Sequence, residues 1–220
     1  MHELADGVYQ LSGKPPNLIN IYLIDGILVD AGTPQAHRRI FRELGDRVPT
    51  AHLVTHAHPD HYGSSHAVCE KYGIPLMAGV DDADAIERSG PETFDTFVGR
   101  NLLSKMPPPP PHPVSTRLKQ GDRAGSFEVL DTPGHSRGHI ALWREGDKTL
   151  VLADVLMNVN PFTMKTGLSE PLKALTLDPA QNRDSARRLA ELEPELVLFG
   201  HGPALRSSEE FAWFVATLPR

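Results

Sequence analysis

The segment Thr55-His56-Ala57-His58-Pro59-Asp60-His61 places four side chains able to bind a metal within six residues. It directly follows a strand-like stretch that ends at Val54. In extended or tightly turned backbone, side chains two apart project to the same side, so His56 and His58 face one way, while Pro59 breaks the strand and swings Asp60 and His61 round. One loop can thus serve two adjacent metals. The plain alternative is a histidine-rich surface turn, but H-x-H-x-D-H seldom arises by chance at this composition. Cys69 is the single cysteine, so an intramolecular disulfide is excluded and any metal must rely on nitrogen and oxygen donors.

Three further places carry similar chemistry. Pro133-Gly134-His135-Ser136-Arg137-Gly138-His139 follows a predicted strand, and its glycines let the backbone turn tightly and lift His135 off the strand end. His139 enters the next strand and reads as a hydrogen-bonded core histidine, or one that orients a ligand. Asp154 ends the apolar run Leu150–Ala153, where a carboxylate serves equally well to make a turn. His201 lies between two glycines after the apolar strand ending at Phe199, and Asp30 repeats the pattern of apolar strand, polar residue, glycine. Asp30 either orients a ligand histidine or caps the following turn.

The elements that must position these groups alternate in kind. Gly7–Leu11, Leu18–Ile24 and Ile27–Val29 read as antiparallel strands, with Asp25-Gly26 as a hairpin turn. A helix follows Pro34, with Ala36, Ile40 and Leu44 on one face and Gly45 as its stop. Then come a strand at Ala51–Val54, a helix over Gly63–Tyr72, a strand at Pro75–Ala78 and one or two helices over Asp81–Lys105. Five consecutive prolines within Met106–Pro113 form a stiff surface connector. Ser126–Leu130, Ile140–Arg144 and Thr149–Leu152 form a second meander, followed by a helix at Ala180–Leu192, a strand at Leu196–Phe199 and a helix at Ser207–Leu218. Two sheets covered by helices fit this order. In such a fold His56, His58, Asp60, His61, His135, Asp154 and His201 all fall at strand ends or in the loops after them, which gather on one edge. Seven ligands with one shared carboxylate suit two metals, zinc first, with iron or manganese acceptable to the same donors.

With 220 residues, 40% hydrophobic and 23% charged, the chain reads as one globular domain over residues 1–220. A net charge of −6 and the lack of a basic run argue against nucleic acid and anionic lipid as partners. No apolar stretch approaches a membrane span, and the segment after Met1 has no basic or apolar leader character, so a cytoplasmic protein is expected. The oligomeric state stays open, a homodimer included.

These residues, in this order, resemble the metallo-β-lactamase superfamily of αβ/βα-sandwich hydrolases across almost the whole chain. The resemblance implies a four-layer α/β fold of two mixed β-sheets flanked by helices. It also implies that His56, His58 and His135 hold one metal, that Asp60, His61 and His201 hold a second, that Asp154 bridges them, and that Asp30 has a structural role. Zinc β-lactamases lack the bridging Asp, which argues against that activity. Hydroxyacylglutathione hydrolases (glyoxalase II) share all seven positions, but most have an added C-terminal helical region, whereas this chain ends about 20 residues after His201. RNA-processing members usually add arms, a second domain and basic surface. Persulfide dioxygenases share the motifs yet use one iron and oxygen.

The expected activity is hydrolysis of a small thioester, lactone or ester by a hydroxide shared between two zinc ions, with Asp60 and Asp154 as the catalytic carboxylates. A mononuclear iron persulfide dioxygenase of the same fold is the alternative. Lys14, Asn17 and Lys165, on loops expected to rim the metals, are the candidates for contact with the small-molecule substrate.

Overall fold

The computed structural model describes residues 1–13, 15–89, 96, 108–160 and 163–219. Its first sheet runs in the order β1 (His2–Ala5), β2 (Val8–Gln10), β3 (Tyr22–Ile24), β4 (Ile27–Val29), β5 (Ala51–Val54), β6 (Leu76–Gly79) and β7 (Thr116–Leu118). Pairing is antiparallel from β1 to β4 and parallel from β4 to β7. The second sheet contains β8 (Arg123–Ala124), β9 (Phe127–Asp131), β10 (Ile140–Arg144) and β11 (Thr149–Ala153). A two-stranded ribbon, β12 (Met157–Val159) with β13 (Thr166–Ser169), precedes β14 (Leu196–Phe199), which joins the second sheet beside β11 in the order β14-β11-β10-β9-β8.

Alternation within the strands decides what lies between the sheets. Tyr22, Ile24, Val29 and Leu53 from the first sheet meet Phe127, Val129, Leu142, Val151 and Leu198 from the second in one cluster. Leucines fully buried there each contribute roughly 2–3 kcal/mol through lost contact with water. The residues between them point outward. Leu23 and Leu28 pack with Ile40 and Leu44 of α1 (His37–Leu44) and Val68 of α3 (Ser65–Tyr72). On the far side Ala141, Trp143, Leu150 and Leu152 pack with Ala186 and Leu189 of α5 (Pro179–Ala190) and with Phe211 and Val215 of α6 (Ser208–Thr217). The layers are therefore helix, sheet, sheet, helix.

Several elements differ from the sequence reading. Pro59 starts a short helix, α2 (Pro59–Tyr62), because proline is preorganised for the first helical position; Asp60 and His61 thus ride on a helical turn. The helix after β6, α4 (Val80–Arg88), stops at Ser89, whose φ of 46° is left-handed. The rest of the helix expected up to Lys105 lies outside the described residues, Thr96 apart. From Pro108 the proline segment is irregular and mostly exposed, but Pro109 is buried. Strand β1 and the β12–β13 ribbon are additions that the sequence reading left as termini and loops.

Strands β9, β11 and β14 run in one direction, with β10 reversed between β9 and β11. Strands β4 and β5 are likewise parallel to each other. The loops after these five strands hold Asp30, the His56–His61 segment, His135, Asp154 and His201. The two sheets bring these groups together at one edge.

Candidate metal centre

At that edge the side chains form three overlapping groups. The donor atoms of His56, His58 and His135 lie within 4.8 Å of one another, as do those of His56, His61 and Asp154, and those of Asp60, His61 and His201. Asp154 Oδ2 sits between four imidazole nitrogens: 3.2 Å from His201 Nε2, 3.5 Å from His61 Nε2, 3.6 Å from His135 Nε2 and 3.9 Å from His56 Nε2. Asp60 Oδ2 is 3.4 Å from His201 Nε2 and 3.9 Å from His61 Nε2. His58 presents Nδ1, which lies 3.0 Å from His135 Nε2. His56, His58, His61, His135 and Asp154 are buried, whereas the Asp60 side chain is 39% exposed and so marks the open side.

Whether these groups suit a metal is decided by unmet bonding. Among the described residues, the buried atoms His56 Nε2, His61 Nε2 and Asp154 Oδ1 have no hydrogen-bond partner. A buried polar atom without a partner costs about 1–3 kcal/mol, and three of them in one cluster point to a ligand that the protein's own atoms do not replace. An all-nitrogen and oxygen donor set with two carboxylates fits divalent zinc, iron or manganese.

Electrostatics sort the cluster. Burial, reinforced by neighbouring histidines, holds His56 and His135 well below the ordinary imidazole value. Burial also opposes charge on His61 and His201, but Asp154 outweighs it in both, helped by Asp30 at His61 and by Asp60 at His201; His201 rises to about 10. Asp154 is likewise opposed by burial and carried well below the usual carboxylate range by His201 and His61. Without a cation the carboxylates therefore recruit protons to their histidine partners.

A surrounding layer fixes how the imidazoles point. Asp30 Oδ2 accepts from His61 Nδ1 at 2.7 Å, and its Oδ1 accepts the Thr55 N–H at 2.8 Å. Asp30 occupies the left-handed region with φ of 59°, a conformation costly for a residue with a Cβ. Its backbone N–H bonds to Leu53 O, which anchors that geometry. Of the two readings of Asp30 in the sequence, this contact corresponds to the one in which it orients a histidine. Asp30→Asn is expected to weaken metal binding roughly 10–100-fold while leaving the folded state intact, as read by competition with a chromogenic chelator. Unchanged affinity would remove Asp30 from the positioning role.

His139 lies beside the cluster. Its Nδ1–H donates to Thr132 Oγ1 at 2.8 Å, and its Nε2 accepts the Asp154 N–H at 3.2 Å. Burial pushes it down to about 3, so it stays neutral and anchors the Asp154 backbone. His135 Nδ1 is paired with Thr176 Oγ1, and His201 Nδ1 with the Leu18 carbonyl.

Asp82 and Asn20, which the sequence reading passed over, and Gly200, read there only as a neighbour of His201, also hold the site together. Asp82, in the first turn of α4, accepts from Ala57 N–H, Ser136 Oγ and Gly138 N–H, and so ties the His56–His58 loop to the His135 loop. Asn20 donates to the carbonyls of Phe199 and Gly202 on either side of His201. Gly200 leaves room: a Cβ there would fall on Asp154 Oδ1 and lie 2.7 Å from His61 Cε1. Gly200→Ala is therefore expected to displace Asp154 and cost at least one bound metal per chain, measured by elemental analysis. Full metal content in that variant would show that the site tolerates the displacement.

The substrate-contact candidates separate. Lys14 lies outside the described residues. Asn17 has its side-chain oxygen on Gln10 Nε2 and its carbonyl on the Gly202 N–H, so it braces the His201 loop. Lys165 is exposed between β12 and β13, where its carbonyl accepts from Asn160 N–H.

The model of the metallo-beta-lactamase superfamily matches residues 15–201, which takes in every strand-end group described above. The chain belongs to the metallo-beta-lactamase superfamily. Within that superfamily it is 30% identical to a protein named probable metallo-hydrolase YflN of Bacillus subtilis (strain 168), over 91% of this chain and 85% of that one. It is 26% identical to a hydroxyacylglutathione hydrolase of Chelativorans sp. (strain BNC1), over 84% of this chain and 60% of that one. Among solved structures it resembles TTHA1623 in a di-iron-bound form, with a TM-score of 0.61 and 27% identity, covering 93% of each chain. The superfamily match and these relatives place the chain among metal-dependent hydrolases.

Proposed function

We propose that the chain is a dinuclear hydrolase, with zinc as its working metal, that cleaves a small thioester, lactone or ester. The observation that carries this reading is Asp154 Oδ2, buried within 3.2–3.9 Å of four imidazoles contributed by three separate loops. His56, His58 and His135 would hold one ion, Asp60, His61 and His201 the other, and Asp154 both. Two bound dications supply a water made nucleophilic near neutral pH and polarisation of the substrate carbonyl.

The remaining work falls to the chain's own residues. Asp60 is the half-exposed carboxylate of the cluster, and burial, which would raise it, is outweighed by His61 and His201, so it stays ionised at neutral pH. Asp60 Oδ2, 3.4 Å from His201 Nε2 on the open side of the cluster, is the carboxylate placed to relay a proton to the departing thiolate or alkoxide. Asp30 and His139 hold His61 and the Asp154 backbone still during this transfer. A relative named hydroxyacylglutathione hydrolase supports thioesters within the substrate range.

In this reading residues 1–220 form one domain, because a single inter-sheet cluster runs from Val8 to Leu198. The protein acts on a small molecule in the cytoplasm. No helix among the described residues is long and apolar enough to cross a membrane.

The deciding experiment is metal content per chain after purification without chelator, together with hydrolysis assays on an acyl-glutathione thioester, an aliphatic lactone and an aryl ester. About two zinc per chain is expected, with activity lost on chelation and restored by zinc. About one iron per chain, with oxygen consumed on a persulfide, would overturn the reading in favour of a dioxygenase.

A further inference from the structure

A second set of metal-capable side chains lies apart from the seven residues above. His66 and Glu70 occur one turn apart on α3, so both project from the same helix face. His112 faces them from the proline segment. One donor atom from each of the three lies within 4.8 Å of the other two. His66 Nδ1 and His112 Nδ1 are 3.3 Å apart, and their rings are tilted at 71° with centroids 5.4 Å apart.

That separation is informative. Two nitrogens bound at ~2.05 Å to a tetrahedral zinc stand about 3.3 Å apart. A direct hydrogen bond between the same atoms is long and uses only one of the two lone pairs.

The segment that presents His112 is fixed on both sides. Ser89 Oγ donates to the Pro109 carbonyl, the Val114 N–H donates to Glu87 Oε1 at 2.9 Å, and the Ser115 N–H donates to the Leu76 carbonyl at 2.8 Å. Pro111 and Pro113 flank His112 and lock φ on either side of it. His112 is therefore delivered to α3 by backbone of restricted freedom, which lowers the entropy lost on closing a metal site.

We propose that His66, Glu70 and His112 form a third metal site that takes zinc and straps the proline segment to α3. Two imidazoles and a carboxylate are a zinc donor set. Glu70 is exposed and the two histidines are half-buried, so a fourth position opens to solvent. Unlike the Asp154 cluster, this site draws its ligands from the periphery of the first sheet, and its role is to fasten that segment.

The test compares zinc bound at equilibrium by the full-length wild type, His112→Gln and Glu70→Gln, after metal stripping and titration with zinc alone. The wild type is expected to bind one equivalent more than either variant, and the last equivalent of cobalt(II) added to the wild type should give a tetrahedral visible band that neither variant shows. Asp154→Ala should retain that equivalent, which separates this site from the dinuclear centre whatever that centre's own stoichiometry. Equal zinc in wild type and both variants, with all three folded by circular dichroism, would overturn the proposal.

Discussion

Replacing Asp154 with alanine is expected to reduce hydrolysis at least ~10³-fold, equivalent to about 4 kcal/mol of transition-state stabilisation, and to leave the protein short of at least one metal per chain. The reason lies in charge. Asp154 Oδ2 stands 3.2 Å from His201 Nε2, 3.5 Å from His61 Nε2 and 3.6 Å from His135 Nε2, and Asp60 is the other carboxylate of the seven. Two dications brought to a buried site need that negative charge to offset their loss of hydration. The fold should survive, because Asp154 lies outside the apolar cluster between the sheets and the histidines that lose its charge can shed their protons; far-UV circular dichroism should match the wild type. Asp154→Asn, with the same shape and no charge, should behave like the alanine variant. Wild-type turnover in either variant would sink the dinuclear scheme.

The second large effect concerns stability. Asp82→Ala removes one side chain that accepts the Ala57 N–H at 2.8 Å, Ser136 Oγ at 2.6 Å and the Gly138 N–H at 2.7 Å. Asp82 is only 3% exposed, so water does not take its place without opening the structure. Leaving two backbone donors and a hydroxyl unpaired is expected to cost about 3–5 kcal/mol. For a chain of this length the melting temperature should fall by roughly 10 °C. Metal affinity should fall roughly 10–100-fold as well, because His58 and His135 sit on the two loops that Asp82 joins. Scanning calorimetry of the metal-free and loaded protein separates the two effects. A melting temperature within 2 °C or so of wild type would mean that the loops hold their arrangement by other means.

The difference between Asp154 and Asp82 explains what the sequence disclosed. The groups His56 to His61 were legible because donor types crowd into a few positions, Asp154 because it ends an apolar run, and His135 and His201 because each follows a strand beside a glycine. Asp82 offers no such pattern. It lies among other acidic residues in the first turn of a helix, and its partners are two backbone amides and a serine far away in the chain. The same applies to Thr176, whose hydroxyl meets His135 from 41 positions away in the chain. Among the strands, β10 and β14 were plain because short runs of apolar residues, Ile140–Trp143 and Leu196–Phe199, fill both of their faces. The β12–β13 ribbon was missed because Met-Asn-Val and Thr-Gly-Leu-Ser are too short to show alternation. Pro59 was read as a break, whereas the chain uses it to begin a turn of helix.

His201 follows β14, which pairs with β11 across an intervening stretch of more than forty residues containing the ribbon and α5. The candidate ligands thus span positions 56 to 201, and Asp154 meets His201 only once β14 has docked. On a chain emerging from the ribosome, the His56–His61 loop can be complete while Asp154 and His201 have not yet met. Full metal occupancy is then tied to the slow, non-local pairings of the fold. Metal uptake during refolding would report the arrival of the last strand and not collapse of the first sheet.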